Sequence, residues 1–215
     1  MDEISLEAFV RDLEAVVDQL QLERFSLLGI SQGGAIAIAY AARHPERVTG
    51  LVLHGTYALG RNKRGSAAER EQAVAWRALI RHGWGDRHSA FMHAFSTLYV
   101  PNGTHEQIHW FTELQRVSAS AENAIRLREF VDDIDISHLL SQVQVPALVL
   151  HSRHDGVVPF DQGRLLAASL PRARFVGLES ENHRILAHEP AWPQFVAEIE
   201  DFLASLDTPQ TMAST

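Results

Sequence analysis

The sequence predicts an α/β fold: a parallel sheet covered by helices on both faces and interrupted by a helical insertion. Three observations carry this. Runs of strand length at Phe25–Leu28, Val48–Leu53, Val145–Leu150 and Arg174–Leu178 are joined by helical segments. The first run passes through Gly29-Ile30-Ser31-Gln32-Gly33, a Gly-x-Ser-x-Gly turn, directly into a helix of small apolar residues. From Thr56 to about Val143 the strand signals stop and helical patterns follow one another. At 215 residues the chain suits one domain with an insertion. Its organisation reads as 1–55, the first part of a core carrying the serine turn; 56–143, a helical cap; 144–206, the second part of the core; and 207–215, a polar tail expected to be disordered.

The elements follow in order. Ser5–Leu20 is an amphipathic helix, with Leu6, Phe9, Val10, Leu13, Val16, Val17 and Leu20 at helical spacing and Ser5 as N-cap. After the first strand and the serine turn, a buried helix runs from Gly34 to about Ala42 and stops near His44-Pro45. Val48–Leu53 is the second strand and ends at His54-Gly55. Arg61–Gly65 reads as a basic turn. Helices are expected at Ala67–His82, Arg87–Tyr99, Thr104–Ser118 and Ala121–Val131. Trp76, Trp84, Trp110 and several Phe residues concentrate there, as core, as pocket lining, or as both. Beyond Val145–Leu150, Asp161–Leu170 is a helix with Asp161 as its N-cap. Pro190–Leu206 is the last helix, with Phe195, Ile199 and Phe202 on one face.

Composition narrows the function. With 46% hydrophobic and 21% charged residues the chain can bury a core, which excludes global disorder. A net charge of −8 argues against binding phosphate backbones, so no nucleic-acid partner is expected. The absence of cysteine excludes disulfides, thiolate metal sites and a cysteine nucleophile. No apolar run is long enough to span a bilayer, and the acidic opening MDEISLEAF lacks a signal-peptide pattern. A cytoplasmic protein without membrane attachment is the expectation.

The serine turn gives the chemistry its centre. A serine on a tight strand–turn–helix junction projects Oγ above the sheet. Side chains at Gly29 and Gly33 are expected to collide with the neighbouring strand and helix. The Gln32 N–H points where an oxyanion would form, and the helix N-terminus adds positive potential. An activated serine needs a base, and the base needs an orienting acid. Asp155 lies just past the third strand, in SRHDGVVP, and His183 just past the fourth, in ENHRIL. In a parallel sheet these strand ends share one edge. Asp161 is a weaker candidate acid, and Glu179 and Glu181 are expected to be solvated.

These motifs resemble those of the α/β-hydrolases, and the resemblance runs from the first helix to about Leu206. Within that superfamily, LVLHGTYALGR, Leu114-Gln115-Arg116 and HEPAWPQF resemble hydrolase domains fused to bacterial regulatory modules. The resemblance implies a sheet of the α/β-hydrolase type with Ser31 as nucleophile, His183 as general base, Asp155 as its orienter and Gln32 as an oxyanion donor. It implies a serine esterase acting on a small acyl substrate, an ester, lactone or thioester, with no cofactor and no metal. A serine at the elbow argues against dehalogenases and epoxide hydrolases, which attack with a carboxylate.

The resemblance also implies strands ahead of the elbow, with a loop bearing a His-Gly dipeptide and a second oxyanion N–H. Only one helix precedes the elbow here, so the core is expected to be N-terminally truncated. His54-Gly55 follows the elbow and is read as the end of the second strand. An apolar edge strand invites pairing, so a homodimer through the sheet edge is one expected arrangement. A fragment of a longer reading frame is favoured over it, and a degenerate domain kept for binding is the third option.

Two other functions compete. His105-Glu106-Gln107-Ile108-His109 is a literal H-E-x-x-H, with Glu129 as a third candidate ligand, which would suit a zinc metallopeptidase. Thr104 and Gln107 fit a capping box instead and put His105 in the first turn, a poor place for a rigid ligand. A ligand-sensing, non-catalytic domain is the second alternative.

Overall fold

The structure is a computed structural model and describes residues 3–86 and 89–207. Helix α1 (Leu6–Gln19) precedes strand β1 (Phe25–Ile30), helix α2 (Gln32–Arg43) and strand β2 (Val48–His54). Five helices follow: α3 (Arg61–Arg64), α4 (Ala67–Gly83), α5 (Ala90–Tyr99), α6 (His105–Ser118) and α7 (Ala121–Asp133). A 3₁₀ segment (Ser137–Gln142) leads to β3 (Ala147–Ser152), α8 (Phe160–Ser169), β4 (Ala173–Leu178) and α9 (Trp192–Asp207).

The sheet has the order β1-β2-β3-β4, and every pairing is parallel. Alternation along the strands builds a core on each face. Leu51, Leu53 and Val149 pack with α2 and α8 on one face, while Val52, Leu148 and Leu150 pack with Phe202 and Phe195 of α9 on the other. All six residues of β3 are buried, as a strand covered on both sides requires. The sheet meets α9 closely at Gly50, where a Cβ would lie 2.6 Å from Leu206 Cδ1. Among the described residues β1 and β4 are the two sheet edges, and on β1 Leu28 is half exposed.

Ser5 caps α1 by accepting from the Ala8 N–H. Val10 and Val17 are buried, but Val16 and Leu20, expected on the same face, are 55% and 62% exposed. The buried stripe is narrower than the apolar pattern, because α1 packs chiefly on α2, with Phe9 also meeting Phe130 of α7, 5.4 Å between ring centroids. Three more expectations need correction. Arg61–Arg64 is a short helix rather than a turn. The N-cap of α8 is Pro159, and Asp161 lies inside the first turn, paired with Arg164 at 3.3 Å. The helix expected from Arg87 is described only from Ala90. The tail beyond Asp207 lies outside the described residues.

Candidate active site

Parallel pairing in register brings the strand ends together. Ile30 pairs with His54, His54 with Leu150, and Ser152 with Leu178. The loops that leave these ends carry Ser31, Asp155 and His183. Ser31 has φ 55° and ψ −127°, a left-handed conformation that non-glycine residues rarely adopt. It is held from both sides: its N–H donates to His54 O at 2.9 Å, and Thr56 Oγ1 donates to its carbonyl. Gln32 is the first residue of α2, so its N–H is one of those a helix leaves unpaired.

The glycines of the turn do different work than expected. A Cβ at Gly29 would sit 2.6 Å from Gly34 Cα, so that position is sterically closed. A Cβ at Gly33 would meet nothing within 4 Å, which corrects the expectation of a collision there. The tight position is Gly34, where a Cβ would fall 1.8 Å from Thr56 Oγ1. Thr56 thus sets how closely α2 approaches the end of β2.

The Asp155 side chain is fully buried and makes hydrogen bonds through both oxygens. Oδ1 accepts from the Val157 and Val158 N–H groups at 2.7 and 3.0 Å, and Oδ2 lies 2.6 Å from His183 Nδ1. Burial alone would raise its pKa. The hydrogen bond and charge of His183, helped by the two amides, outweigh burial and hold the carboxyl below its ordinary value. The anion therefore accepts from Nδ1–H, which leaves His183 Nε2 with a lone pair. Nε2 is buried and has no protein partner, and His183 lines the same cavity as Ser31. Ser31 Oγ and Nε2 are not hydrogen-bonded to one another in this state. Serine–base contacts are often loose before substrate binds.

The histidine loop is fixed by a residue the sequence did not single out. Glu189, buried, accepts from Ser180 Oγ at 2.5 Å and Asn182 Nδ2 at 3.1 Å. Asn182 O in turn accepts from Ser152 Oγ at 2.7 Å. The only hint was position, since Glu189 opens the Glu-Pro step before the last helix. Gly55, at φ +58°, lets the ring approach: a Cβ there would lie 2.9 Å from His183 Cε1. His54-Gly55 is the end of β2, as the chain order implied. Glu179 and Glu181 are exposed.

His54 lies buried at the end of β2, its ring 5.2 Å from Phe195. Burial, reinforced by His183 and His151, pushes its pKa down to about 3. The unfolded chain then binds a proton that the fold refuses between about pH 6.5 and 3. Stability should fall as pH drops through that window, by roughly 1.4 kcal/mol per pH unit for one such group. His54→Leu should flatten the fall by about one proton's worth, read as urea midpoints at pH 7, 6, 5 and 4. An unchanged slope would contradict it.

The zinc motif does not assemble. Thr104 and Gln107 form the reciprocal capping box at the start of α6. Among the described residues no group of three or more His, Cys, Asp or Glu side chains is placed to hold a metal ion.

Comparison with known proteins agrees with this fold. A family model for the α/β-hydrolase fold matches residues 2–190. The chain belongs to the α/β-hydrolase family. It is 26% identical over 211 residues to a pyrrolizixenacetamide deacetylase of Xenorhabdus hominickii, covering 96% of this chain and 76% of that protein. It is 30% identical to the AB hydrolase superfamily protein YisY of Bacillus subtilis, over 80% of this chain and 64% of that one. It also matches a 2-hydroxy-6-oxononadienedioate/2-hydroxy-6-oxononatrienedioate hydrolase of Paraburkholderia phymatum at 31%, spanning 58% of its length. This α/β-hydrolase chain thus spans less than two thirds of several curated relatives. Among solved structures, an esterase from Exiguobacterium antarcticum superposes with a TM-score of 0.77 at 22% identity, over 95% of this chain and 74% of that one. That likeness speaks for the fold alone. No helix among the described residues is long and apolar enough to cross a membrane.

Proposed function

We propose that this chain is a serine hydrolase that cleaves small esters, lactones or thioesters through an acyl-enzyme. The observation that carries the reading is the buried Asp155–His183 pair, 2.6 Å apart, with Nε2 unpartnered in a cavity that Ser31 and Gln32 also line. His183 Nε2 takes the proton from Ser31 Oγ as Oγ attacks the carbonyl carbon. Negative charge gathers on the former carbonyl oxygen, where the Gln32 N–H and the start of α2 stabilise it. His183 then returns the proton to the leaving alcohol or thiol. A water deprotonated by the same nitrogen releases the acid.

Helices α3 to α7 act as a cap in this reading. The cavity is about 460 Å³, the size of a small-molecule site, and the insertion supplies Ile80, Trp84, Phe95, Phe111 and Leu127 to its wall. These apolar groups exclude water from the reacting carbonyl and favour a small acyl group. An alkyl fluorophosphonate tests the mechanism directly. Intact-mass spectrometry should show one adduct, and peptide mapping should place it on Ser31. Labelling elsewhere, or none at millimolar probe, would overturn the proposal.

A further inference from the structure

The cap side of the cavity carries a half-buried positive charge that the proposed reaction does not use. Arg61, Arg64 and Arg128 all reach the cavity from α3 and α7. Two of them have carboxylate partners. Arg128 holds Asp132 through Nε and Nη2 at 3.1 and 2.5 Å. Arg64, with its side chain 7% exposed, faces Glu69 at 3.6 Å and lies over the Tyr57 ring. Arg61 has no such partner among the described residues. Its Nη2 donates to Val157 O at 3.2 Å, and its Nη1 is buried without an acceptor. The nearby Asp132 is already shared between Arg128 and the partly exposed Arg77. Arg184 also lines the cavity, but it is exposed and can keep its water.

We propose that Arg61 receives a carboxylate on the acyl substrate, so that the cavity selects acyl groups bearing one carboxylate remote from the scissile carbonyl. The inference rests on the hydrolase reading for the word "substrate" but on its own observations for the site. A half-buried guanidinium whose Nη1 is buried without a counter-ion is costly, and desolvation disfavours the charged form of Arg61 accordingly. One unbalanced cation calls for one negative charge, so a monoanion fits better than a phosphate dianion. A planar carboxylate also matches the guanidinium fork. Tyr57 offers a second group: its hydroxyl is buried in the same cavity without a partner, and burial raises its pKa, so it stays a donor. The Val157 carbonyl that holds Arg61 belongs to the loop whose N–H groups cap Asp155, which ties the carboxylate site to the catalytic acid loop.

The test uses pairs of esters that differ only at the far end: monomethyl glutarate, adipate and pimelate against methyl pentanoate, hexanoate and heptanoate. Binding to the Ser31→Ala chain is measured by calorimetry. At one length at least, the carboxylate ester should bind about 10- to 100-fold more tightly than its neutral partner. Arg61→Met in the same background should bring that ratio to about one, and Arg61→Lys should keep part of it. Equal affinity within all three pairs overturns the inference, as does a preference that survives Arg61→Met. If Arg61 only braces the acid loop, both members of a pair weaken together and the ratio stays, which also overturns it. The two readings fail separately. Turnover of neutral esters without any carboxylate preference sinks the inference and leaves the hydrolase. Arg61-dependent preference in binding, with no ester turned over by the unmutated chain, keeps the site and sinks the hydrolase.

Discussion

Replacing Ser31 by Ala should lower kcat for short-chain p-nitrophenyl esters on the order of 10⁴-fold or more, to the background rate. The effect is large because, in the proposed mechanism, the hydroxyl forms the covalent intermediate. Gln32 and the α2 terminus would still stabilise an oxyanion, but they would have nothing to attack with. The substitution should leave the fold intact. Ser31 is the N-cap of α2 yet makes no side-chain capping bond, so its hydroxyl contributes nothing to the helix. Its φ of 55° is equally strained for Ala, and Thr56 and His54 hold its backbone rather than its side chain. Thermal melts of both proteins should therefore coincide within a few degrees. Equal rates in the two proteins would overturn the hydrolase reading and leave a cavity that binds without turning over.

The strands, and the three residues Ser31, Asp155 and His183 proposed for the site, were legible in the sequence, because each depends on a local pattern. Runs such as Val48–Leu53 and Val145–Leu150 are too apolar to lie anywhere but inside a sheet. Asp155 and His183 stood out because each follows such a run, and a parallel sheet collects its strand ends on one edge. What the sequence hid were pairwise closures between segments far apart in the chain. Gly34 is tight only because Thr56, from the end of β2, packs onto it, while Gly33, inside the motif, faces open space. Glu189 is turned inward by Ser180 and Asn182, partners 9 and 7 residues away that no local pattern around it announces. Arg61 looked like part of a basic turn. Its burial depends on the cap helices and the acid loop closing over it, and nothing in the local sequence RNKR encodes that closure. The same blindness made Val16 and Leu20 read as buried: periodicity counts apolar residues but cannot say how wide a partner covers them.

Asp155→Asn should lower kcat at neutral pH on the order of 10⁴-fold, the loss seen for the equivalent change in a well-studied serine protease, with the loop still folded. The asparagine carbonyl can keep the bonds from the Val157 and Val158 N–H groups, now 2.7 and 3.0 Å. Its amide, however, donates where the carboxylate accepted. His183 Nδ1 must then become an acceptor, which moves the ring proton to Nε2, the nitrogen that should take a proton from Ser31. The imidazolium formed during attack also loses its counter-ion. KM should change little, since Asp155 is buried behind His183. Stability gives an independent readout. The folded carboxyl titrates below its ordinary value of 3.8, so its contribution is fully present above that pH and is lost as pH falls through the folded value. The melting-temperature gap between the two proteins should hold steady from pH 7 to about pH 5 and narrow below about pH 4. A gap that widens on acidification would mean that the carboxylate is not stabilised by His183 and the two amides. The assignment of Asp155 as the orienting acid would then fail, even if activity were lost.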